Sequence, residues 1–288
     1  MKIFNFLSLL YLFKFVNAEK NALIIVDAQN CFIDELPIYG ATLSPNFVSE
    51  KINNNIQDID YIAVIKDTHS KNEINNKLNW INSSGGHPSD LDIINRYDIG
   101  TKWWPTSVSL EYAKTYSDYL YKNNKEPIMM WPDHCILDTE GHNIINSIQN
   151  ALNNWEKERN LKVIILEKGL NLYSEQYGIL PEARLPIVLN DKNITLMTNE
   201  VIHILTTYSN ITIIGDEYSH SVLPVLKDFY EISYDWLKLP VEHSPVINLN
   251  HNIIDEFQEN TRNFLKWLGK KFGTLIDDFI EEIYLGDL

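Results

Sequence analysis

One stretch decides the fold of this chain: Ile211-Thr212-Ile213-Ile214-Gly215-Asp216-Glu217-Tyr218-Ser219-His220-Ser221-Val222. Its apolar first half breaks at Gly215 and gives way to small polar residues in a helical pattern, which predicts a strand, a turn and a helix start. In an open α/β sheet such turns form the ligand crevice, so Ser221 would lie where exposed amides favour negative charge. The alternative is an ordinary turn in which Ser and His only cap the helix.

Strand and helix patterns alternate along the rest of the chain. Apolar runs predict strands at 23–26, 61–66, 127–131, 163–166, 211–215 and 232–237. Helical spacing predicts helices at 44–57, 109–121, 144–155 and 198–208, directly after Ser221, and at 251–268. Residues 70–107 have no clean period and predict a long loop. This alternation predicts an α/β fold of three α/β/α layers around a mostly parallel six-stranded sheet.

The two ends of the chain differ from its middle. Residues 1–18 place Lys2 before a short apolar core and end in Val-Asn-Ala, which is typical of a secretory signal peptide. We therefore expect residues 19–271 to form one domain in the secretory-pathway lumen or outside the cell, with 272–288 as an acidic tail. A retained N-terminal anchor is the alternative. No later segment reaches the roughly 20 apolar residues of a membrane span.

The composition limits the classes of partner. The net charge is −15, so nucleic acid and anionic membrane surfaces are poor partners. Two cysteines, Cys31 and Cys135, do not make a disulfide scaffold, although one bridge between them is compatible with an oxidising compartment. Three Asn-x-Ser/Thr triplets begin at Asn82, Asn193 and Asn210. A secreted chain could carry glycans there.

Titratable or nucleophilic side chains follow five successive predicted strands. They are Asp27, then Asp67 with His69, then His134, Lys168 and Ser221. In a parallel sheet the carboxyl ends of the strands share one edge, so these side chains would meet in one crevice. Each has a structural alternative when taken singly, such as a turn cap or a solvated charge. Together they predict a site.

The motifs at these positions resemble a known family. They are Ile24-Ile25-Val26-Asp27-Ala28-Gln29-Asn30, Asp67-x-His69, Trp131-Pro132-Asp133-His134-Cys135, Lys168-Gly169 and the opening stretch. Their order is similar to that of the isochorismatase-like cysteine hydrolases, especially the nicotinamidase branch, over roughly residues 21–245. The resemblance implies the isochorismatase-like hydrolase fold and a role in hydrolysing small amides.

The resemblance also implies a catalytic group of aspartate, lysine and cysteine, in which a thiolate attacks an amide carbonyl. Asp27 and Lys168 match the aspartate and the lysine, but the nucleophile position falls on Ser221. A thiol ionises near pH 8.5, whereas a serine hydroxyl stays protonated and needs a strong base. Replacing the thiol therefore predicts a large loss of acyl transfer, although serine–lysine enzymes exist on other folds.

A metal site is the second feature that the resemblance implies. Asp67, His69 and His134 match three ligands for zinc or another divalent metal, and no organic cofactor is implied. The further histidine expected after the Asp-x-His pair is missing, so Glu73 is a candidate substitute, and His87 is a weaker one. The presence of a metal stays open at this point.

Two functions are compatible with this sequence. The first is a secreted pseudoenzyme that keeps the fold and binds a small molecule or a protein. The second is an active amidohydrolase on nicotinamide or another small amide, using Ser221 with Asp27 and Lys168. A thiol of Cys31 or Cys135 acting as nucleophile is a further alternative, but neither cysteine follows the fifth strand. Members of the family often form homo-oligomers, which is an expectation for this chain too.

Overall fold

The structure has a central β-sheet with helices on both faces. It is a computed structural model, and it describes residues 19–36, 44–215, 218–239 and 246–249. The strands are β1 (Asn21–Val26), β2 (Tyr61–Asp67), β3 (Trp80–Ile81), β4 (Ile93–Ile94), β5 (Trp104–Pro105), β6 (Ile128–Met129), β7 (Ile164–Lys168), β8 (Asn210–Gly215) and β9 (Val246–Leu249). The α-helices are α1 (Cys31–Asp34), α2 (Pro45–Asn54), α3 (Leu110–Lys122), α4 (Asn146–Arg159), α5 (Pro186–Leu189), α6 (Lys192–Thr207) and α7 (Leu223–Tyr230).

Within the described residues, the central sheet has five strands in the order β7-β2-β1-β8-β9. Every neighbouring pair is parallel. Strands β2 and β7 lie on one side of β1 and strands β8 and β9 on the other, so the strand order reverses between β1 and β8. A crevice forms at such a reversal in open α/β sheets. The predicted α/β class with a mostly parallel sheet is confirmed, and the sheet has five described strands instead of six.

The missing sixth strand is the segment predicted at 127–131. Strand β6 there pairs antiparallel with β4 and forms a separate two-stranded sheet. Pro127 and Pro132 flank this segment. Because proline has no backbone N–H, a long ladder cannot form across it. The partner, Ile93–Ile94, lies inside the segment predicted as one long loop, which therefore contains the short strands β3, β4 and β5.

The two faces of the sheet carry separate apolar cores. Along β1, Leu23 and Ile25 belong to one buried cluster, which α2 and α4 complete. Ile24 and Val26 belong to the other cluster, which α6 and α7 complete. Alternate residues of a strand point to opposite faces, so a continuous apolar run fits a strand that is covered on both sides. The three-layer arrangement follows from this pattern.

The C-terminal part of the described chain differs from the prediction. The segment predicted as a strand at 232–237 is a π-helical turn, Glu231–Trp236, that continues α7. Phe229 and Ile232 lie three residues apart in the same buried cluster, which is helical spacing. Strand β9 takes the edge position beside β8 instead. The signal peptide at 1–18, the helix at 251–268 and the tail at 272–288 lie outside the described residues.

None of the helices in the described ranges combines the length and the apolarity that a membrane crossing requires.

Asp228 on α7 gives the fold a testable pH dependence. Its Oδ2 accepts a hydrogen bond from the Leu180 backbone N–H at 2.8 Å. Burial, opposed by that bond and by Lys125 but assisted by Glu182, raises the pKa of Asp228 from 3.8 to about 7. A raised carboxyl pKa stabilises the fold below the unfolded-state pKa, and this contribution is lost as the pH rises through about 7.

Asp228→Asn removes this titrating group. Between pH 4 and pH 7, the free energy of unfolding is therefore expected to fall by about 2 kcal/mol less in Asp228→Asn than in the natural protein. Urea denaturation at a series of pH values measures this. A variant whose stability keeps the natural pH profile would contradict the assignment.

Candidate functional site

Four neighbouring strands direct polar side chains to one edge of the sheet. Asp67 and Lys168 end β2 and β7, Asp27 follows β1, and Ser221 lies six residues after β8. All four line one cavity at the carboxyl ends of these strands. The full lining is Asp27, Phe32, Leu36, Asp67, His69, Trp131, His134, Lys168, Glu175, Tyr177, His220 and Ser221. The convergence expected from the sequence is therefore present.

Lys168 lies between two buried carboxylates. Its Nζ is 3.2 Å from Asp27 Oδ2 and 3.1 Å from Asp67 Oδ1. Burial lowers the pKa of Lys168, but the two carboxylates outweigh it and leave that pKa above its ordinary value. Lys168 is therefore a fixed cation that joins the Asp27 side of the cavity to the Asp67 side.

Asp27 is the most perturbed acid in the cavity. It is fully buried, and its backbone has a φ of 56°, which is the left-handed region that a non-glycine residue rarely adopts. Burial raises the pKa of Asp27 to about 6; Lys168 and a hydrogen bond from Ser221 lower it, and Asp67 raises it. Neither carboxylate oxygen makes a well-aligned hydrogen bond to the described residues. Asp27 is therefore a proton acceptor with a pKa close to neutral pH.

Ser221 reaches Asp27 because the chain crosses closely over the end of β1. A Cβ atom on Gly215 would lie 2.8 Å from the Val26 carbonyl oxygen, so only glycine fits there. Ser221 lies in a π-helical turn, Tyr218–Val222, and is 3% exposed. The N-cap of α7 is Val222, without a side-chain cap. Ser221 therefore faces the same cavity as Asp27 and does not cap the helix.

Three side chains on the other side of the cavity form a metal-type cluster. Ligand atoms of Asp67, His69 and His134 all lie within 4.8 Å of one another. Asp67 Oδ2 is 3.0 Å from His69 Nε2 and 3.3 Å from His134 Nε2. All three residues are buried. One carboxylate with two imidazoles is a donor set that binds zinc and other divalent ions.

The second nitrogen of each histidine fixes its orientation. His134 Nδ1 lies 2.7 Å from the Pro132 carbonyl oxygen, which only accepts, so Nδ1 carries the proton and Nε2 faces Asp67. His69 Nδ1 lies 2.9 Å from Glu73 Oε1. Such outer partners orient metal-binding histidines in known sites. The structure thus places Glu73 beside the outer nitrogen of His69 and not within the three-residue cluster.

His69 is charged in the absence of a cation. Burial lowers its pKa, but the carboxylates of Asp67 and Glu73 outweigh burial and raise the pKa well above the ordinary value. Asp67 has a pKa well below its usual range because His69 and Lys168 outweigh its burial. His69 therefore has to release the proton on Nε2 before that nitrogen can bind a metal.

Both cysteines are used in one disulfide. Cys31 and Cys135 are bonded, with Cα atoms 5.1 Å apart, and the chain contains no other cysteine. The bridge expected as one alternative is present, and it leaves no thiol to act as a nucleophile. His87, the weaker metal candidate, contacts the Trp80 carbonyl oxygen at 2.7 Å and does not line the cavity.

The sequence matches no protein-family model and no curated protein. Among solved structures, the chain is similar to the Acinetobacter baumanii nicotinamidase/pyrazinamidase, at 12% identity over 87% of this chain and 94% of that one, with a TM-score of 0.45. It is similar to the yeast nicotinamidase bound to the inhibitor nicotinaldehyde, at 16% identity over 80% of this chain and 100% of that one, with a TM-score of 0.43.

A third similar structure is the Pyrococcus horikoshii pyrazinamidase in complex with zinc, at 14% identity over 85% of this chain and 95% of that one, with a TM-score of 0.37. All three neighbours are nicotinamidases or pyrazinamidases, the branch that the sequence motifs resemble. Identities and TM-scores of this size do not transfer an activity to this chain.

Six cavity residues were not given a role by sequence reasoning: Phe32, Leu36, Trp131, Glu175, Tyr177 and His220. Trp131 Nε1 donates to the Tyr177 hydroxyl at 3.2 Å, and the His220 ring lies 5.6 Å from the Trp131 ring and 5.8 Å from the Tyr177 ring. Trp131, Tyr177 and His220 form the aromatic wall of the cavity. For Glu175 and Tyr177, the aromatic and polar run at 173–177, shortly after Lys168, was the available signal in the sequence.

Glu175 is a buried acid beside the metal-type cluster. Asn75 donates to its Oε2, and the Gln176 backbone N–H donates to its Oε1 at 3.0 Å. Burial raises the pKa of Glu175. The carboxyl group is therefore fixed by two donors at the cavity surface.

Proposed function

We propose that this protein is a secreted isochorismatase/nicotinamidase-like protein that binds a divalent metal and a small amide and that has lost most or all hydrolase activity. One observation carries the proposal: Ser221 occupies the place beside Asp27 and Lys168, and both cysteines are bonded to each other. The cavity keeps the charged groups of an amide hydrolase without a thiol nucleophile.

The groups of the chain have distinct roles in this proposal. Asp27 accepts or donates a proton near neutral pH, Lys168 holds the buried negative charge, and Ser221 lies beside Asp27 at the position of the nucleophile. Asp67, His69 and His134 would hold the metal, which when bound supplies a positive anchor for a ligand atom. The aromatic wall supplies flat apolar surface for a planar amide.

The size of the cavity limits how a ligand enters. It holds about 30 Å³. That space fits about two water molecules, whereas organic ligands need a larger pocket. A carboxamide ligand therefore requires side chains of the aromatic wall to move aside.

Metal binding is the first test of the proposal. We expect metal-free protein to take up about one zinc ion per chain at the two histidines and Asp67. His134→Ala is expected to weaken zinc binding by at least about 100-fold, and Glu73→Gln by about 10- to 100-fold. Isothermal titration with zinc measures both affinities.

His203→Ala is the matched control, because His203 lies on the exposed face of α6. It should bind zinc as the natural protein does. Natural protein that remains metal-free after incubation with zinc would remove the metal from the proposal, and equal loss in His203→Ala would indicate general damage.

An active amidohydrolase is the second candidate function. It is favoured by the pKa of about 6 for Asp27, which makes this carboxylate a stronger base than an ordinary aspartate, and by the position of Ser221 in the same cavity. Ammonia release by the natural protein, abolished in Ser221→Ala, would establish this candidate in place of the first.

Secretion and partners belong to the proposal as well. The pattern of residues 1–18 and the disulfide support passage through an oxidising compartment. The net charge of −15 supports a small molecule or a protein as partner in place of nucleic acid. A homo-oligomer remains part of the proposal on the sequence resemblance alone.

A further inference from the structure

We propose that the Cys31–Cys135 disulfide is a positioning element of the metal site, so that the redox state of this bridge sets the affinity of the site for a divalent cation. The inference rests on the proposed metal-binding function and adds a control on it. It is argued from the contacts of the two cysteines.

The bridge joins the two loops that border the cavity. Cys31 is the first residue of the short helix α1, which follows Asp27 and the end of β1. Cys135 is directly next to His134. The two cysteines are 104 residues apart in the chain and both are fully buried. Without the bridge, no covalent link would hold the loop with His134 against the end of β1.

The backbone of Cys135 also fixes the second metal-type histidine. The His69 backbone N–H donates to the Cys135 carbonyl oxygen at 3.1 Å, and the Leu137 N–H donates to the His69 carbonyl oxygen at 3.0 Å. The Cys135 N–H in turn donates to Glu35 Oε2 at 3.0 Å. A shift of Cys135 would therefore move His134 through the chain and His69 through these hydrogen bonds.

The side chains around the bridge form the apolar wall of the same cavity. Cys31, Cys135, Phe32 and Leu36 make one small buried cluster, with Trp131 packed against it. The Phe32 ring lies 6.1 Å from the His134 ring in an edge-on arrangement. Phe32 and Leu36 line the cavity together with His134. The bridge therefore lies within the apolar cluster that supports the imidazole of His134.

Opening the bridge is a two-electron step. A dithiol reductant attacks one sulfur, the S–S bond breaks, and a second exchange leaves two thiols on this chain and a disulfide in the reductant. The freed loop gains conformations in which the two histidines are apart. Metal ligation requires them together, so reduction weakens binding of the cation.

The coupling works in both directions. Because linkage is reciprocal, a cation that binds the bridged form more tightly also stabilises the bridge against reduction by the same factor. A tenfold difference in affinity corresponds to about 30 mV in the reduction potential of the bridge. The bridged form is the binding form, which fits a protein proposed to act outside the cytosol.

The test compares zinc affinities of three metal-free proteins by isothermal titration. Cys31→Ser/Cys135→Ser is expected to bind zinc about tenfold or more weakly than the natural protein. Leu205→Ala is the stability control, because Leu205 is buried on α6 and does not line the cavity. Its affinity should be unchanged although its Tm falls.

Equal zinc affinity of the natural protein and the serine pair would overturn the inference and leave the metal site standing. Absence of zinc binding in the natural protein would overturn both proposals. Equal weakening in Leu205→Ala would also overturn the inference, since general destabilisation would then explain the loss.

A second measurement covers the case in which the serine pair does not fold. Natural protein is treated with a phosphine reductant, and the thiols that appear are titrated with and without saturating zinc. Zinc is expected to slow reduction about tenfold, because the buried bridge is reached only when the loop opens. A rate that does not depend on zinc would overturn the inference.

Discussion

Ser221→Cys is expected to release ammonia from nicotinamide at a rate about 100-fold or more above that of the natural protein. The substitution replaces one oxygen atom with sulfur in a buried side chain that lines the same cavity as Asp27. The measurement is the initial rate of ammonia release with metal-loaded protein, for nicotinamide and a panel of small amides.

The size of the effect follows from the proton that the nucleophile has to lose. Asp27 has a pKa of about 6, and an ordinary thiol has one of about 8.5. Moving a proton from that thiol to Asp27 costs about 3 kcal/mol. A hydroxyl group ionises far less readily than a thiol, so the same proton transfer from Ser221 costs much more. Lys168 beside Asp27 further favours a thiolate.

Two variants make the result specific. Ser221→Ala should be inactive, and Ser233→Cys, which places a thiol at another buried serine, should gain no activity. Thiol titration without reductant should find one free thiol in each cysteine variant. If Ser221→Cys stays inactive on every amide, the cavity is not an amide-hydrolase scaffold for these substrates.

The location of the site could be predicted from the sequence because strand ends are visible in it. The apolar run before Asp27 and the run before Lys168 each end at a charged residue. Parallel strands have their carboxyl ends at one edge, so the convergence followed without coordinates. The same logic placed Ser221 beside Asp27.

The orientation of the metal-type histidines could not be predicted in this way. The spacing of His69 and Glu73 predicts that they lie close together, but it does not say which ring nitrogen Glu73 contacts. That choice depends on the Asp67 carboxylate on the other side of the ring, which comes from the end of β2. In the structure Glu73 contacts the outer nitrogen of His69, and its role toward a metal stays a prediction.

The other differences between prediction and structure have a related cause. The segment 127–131 does form a strand, β6, but its pairing with Ile93–Ile94, far away in the sequence, places it outside the central sheet. The segment 232–237 is a short apolar run that fits a strand or a helix equally well, and the packing of Ile232 beside Phe229 under the sheet decides for the helix. Local patterns contain neither partner.

Lys168→Met is expected to lower the free energy of unfolding of metal-free protein by about 3–5 kcal/mol. Lys168 is the cation between the carboxylates of Asp27 and Asp67, and all three residues are buried. Methionine keeps an unbranched side chain of similar length, so the packing changes little. The loss comes from the buried carboxylate of Asp27, which is left without a counter-charge, and from Asp67, which keeps only the His69 side chain as a cation beside it. Urea denaturation in the presence of a chelator measures it.

Lys162→Met is the matched control. Lys162 also loses an ion pair, with Glu156 at 3.0 Å, but its side chain is 82% exposed. Such surface pairs contribute at most about 1 kcal/mol. A loss in Lys168→Met no larger than that in Lys162→Met would show that the carboxylates are already neutral or solvated in the folded protein.

The loss in Lys168→Met should depend on pH with a definite sign. Burial and Asp67 raise the pKa of Asp27, while Lys168 lowers it, so removing the lysine raises this pKa above about 6. A carboxyl group with a raised folded-state pKa stabilises the fold below its unfolded-state pKa and loses that effect as the pH rises. The variant should therefore be closer to natural stability at pH 5 than at pH 8. Adding Asp27→Asn should restore part of the stability at pH 8, because it removes the buried charge that lost its cation without changing the size of the side chain.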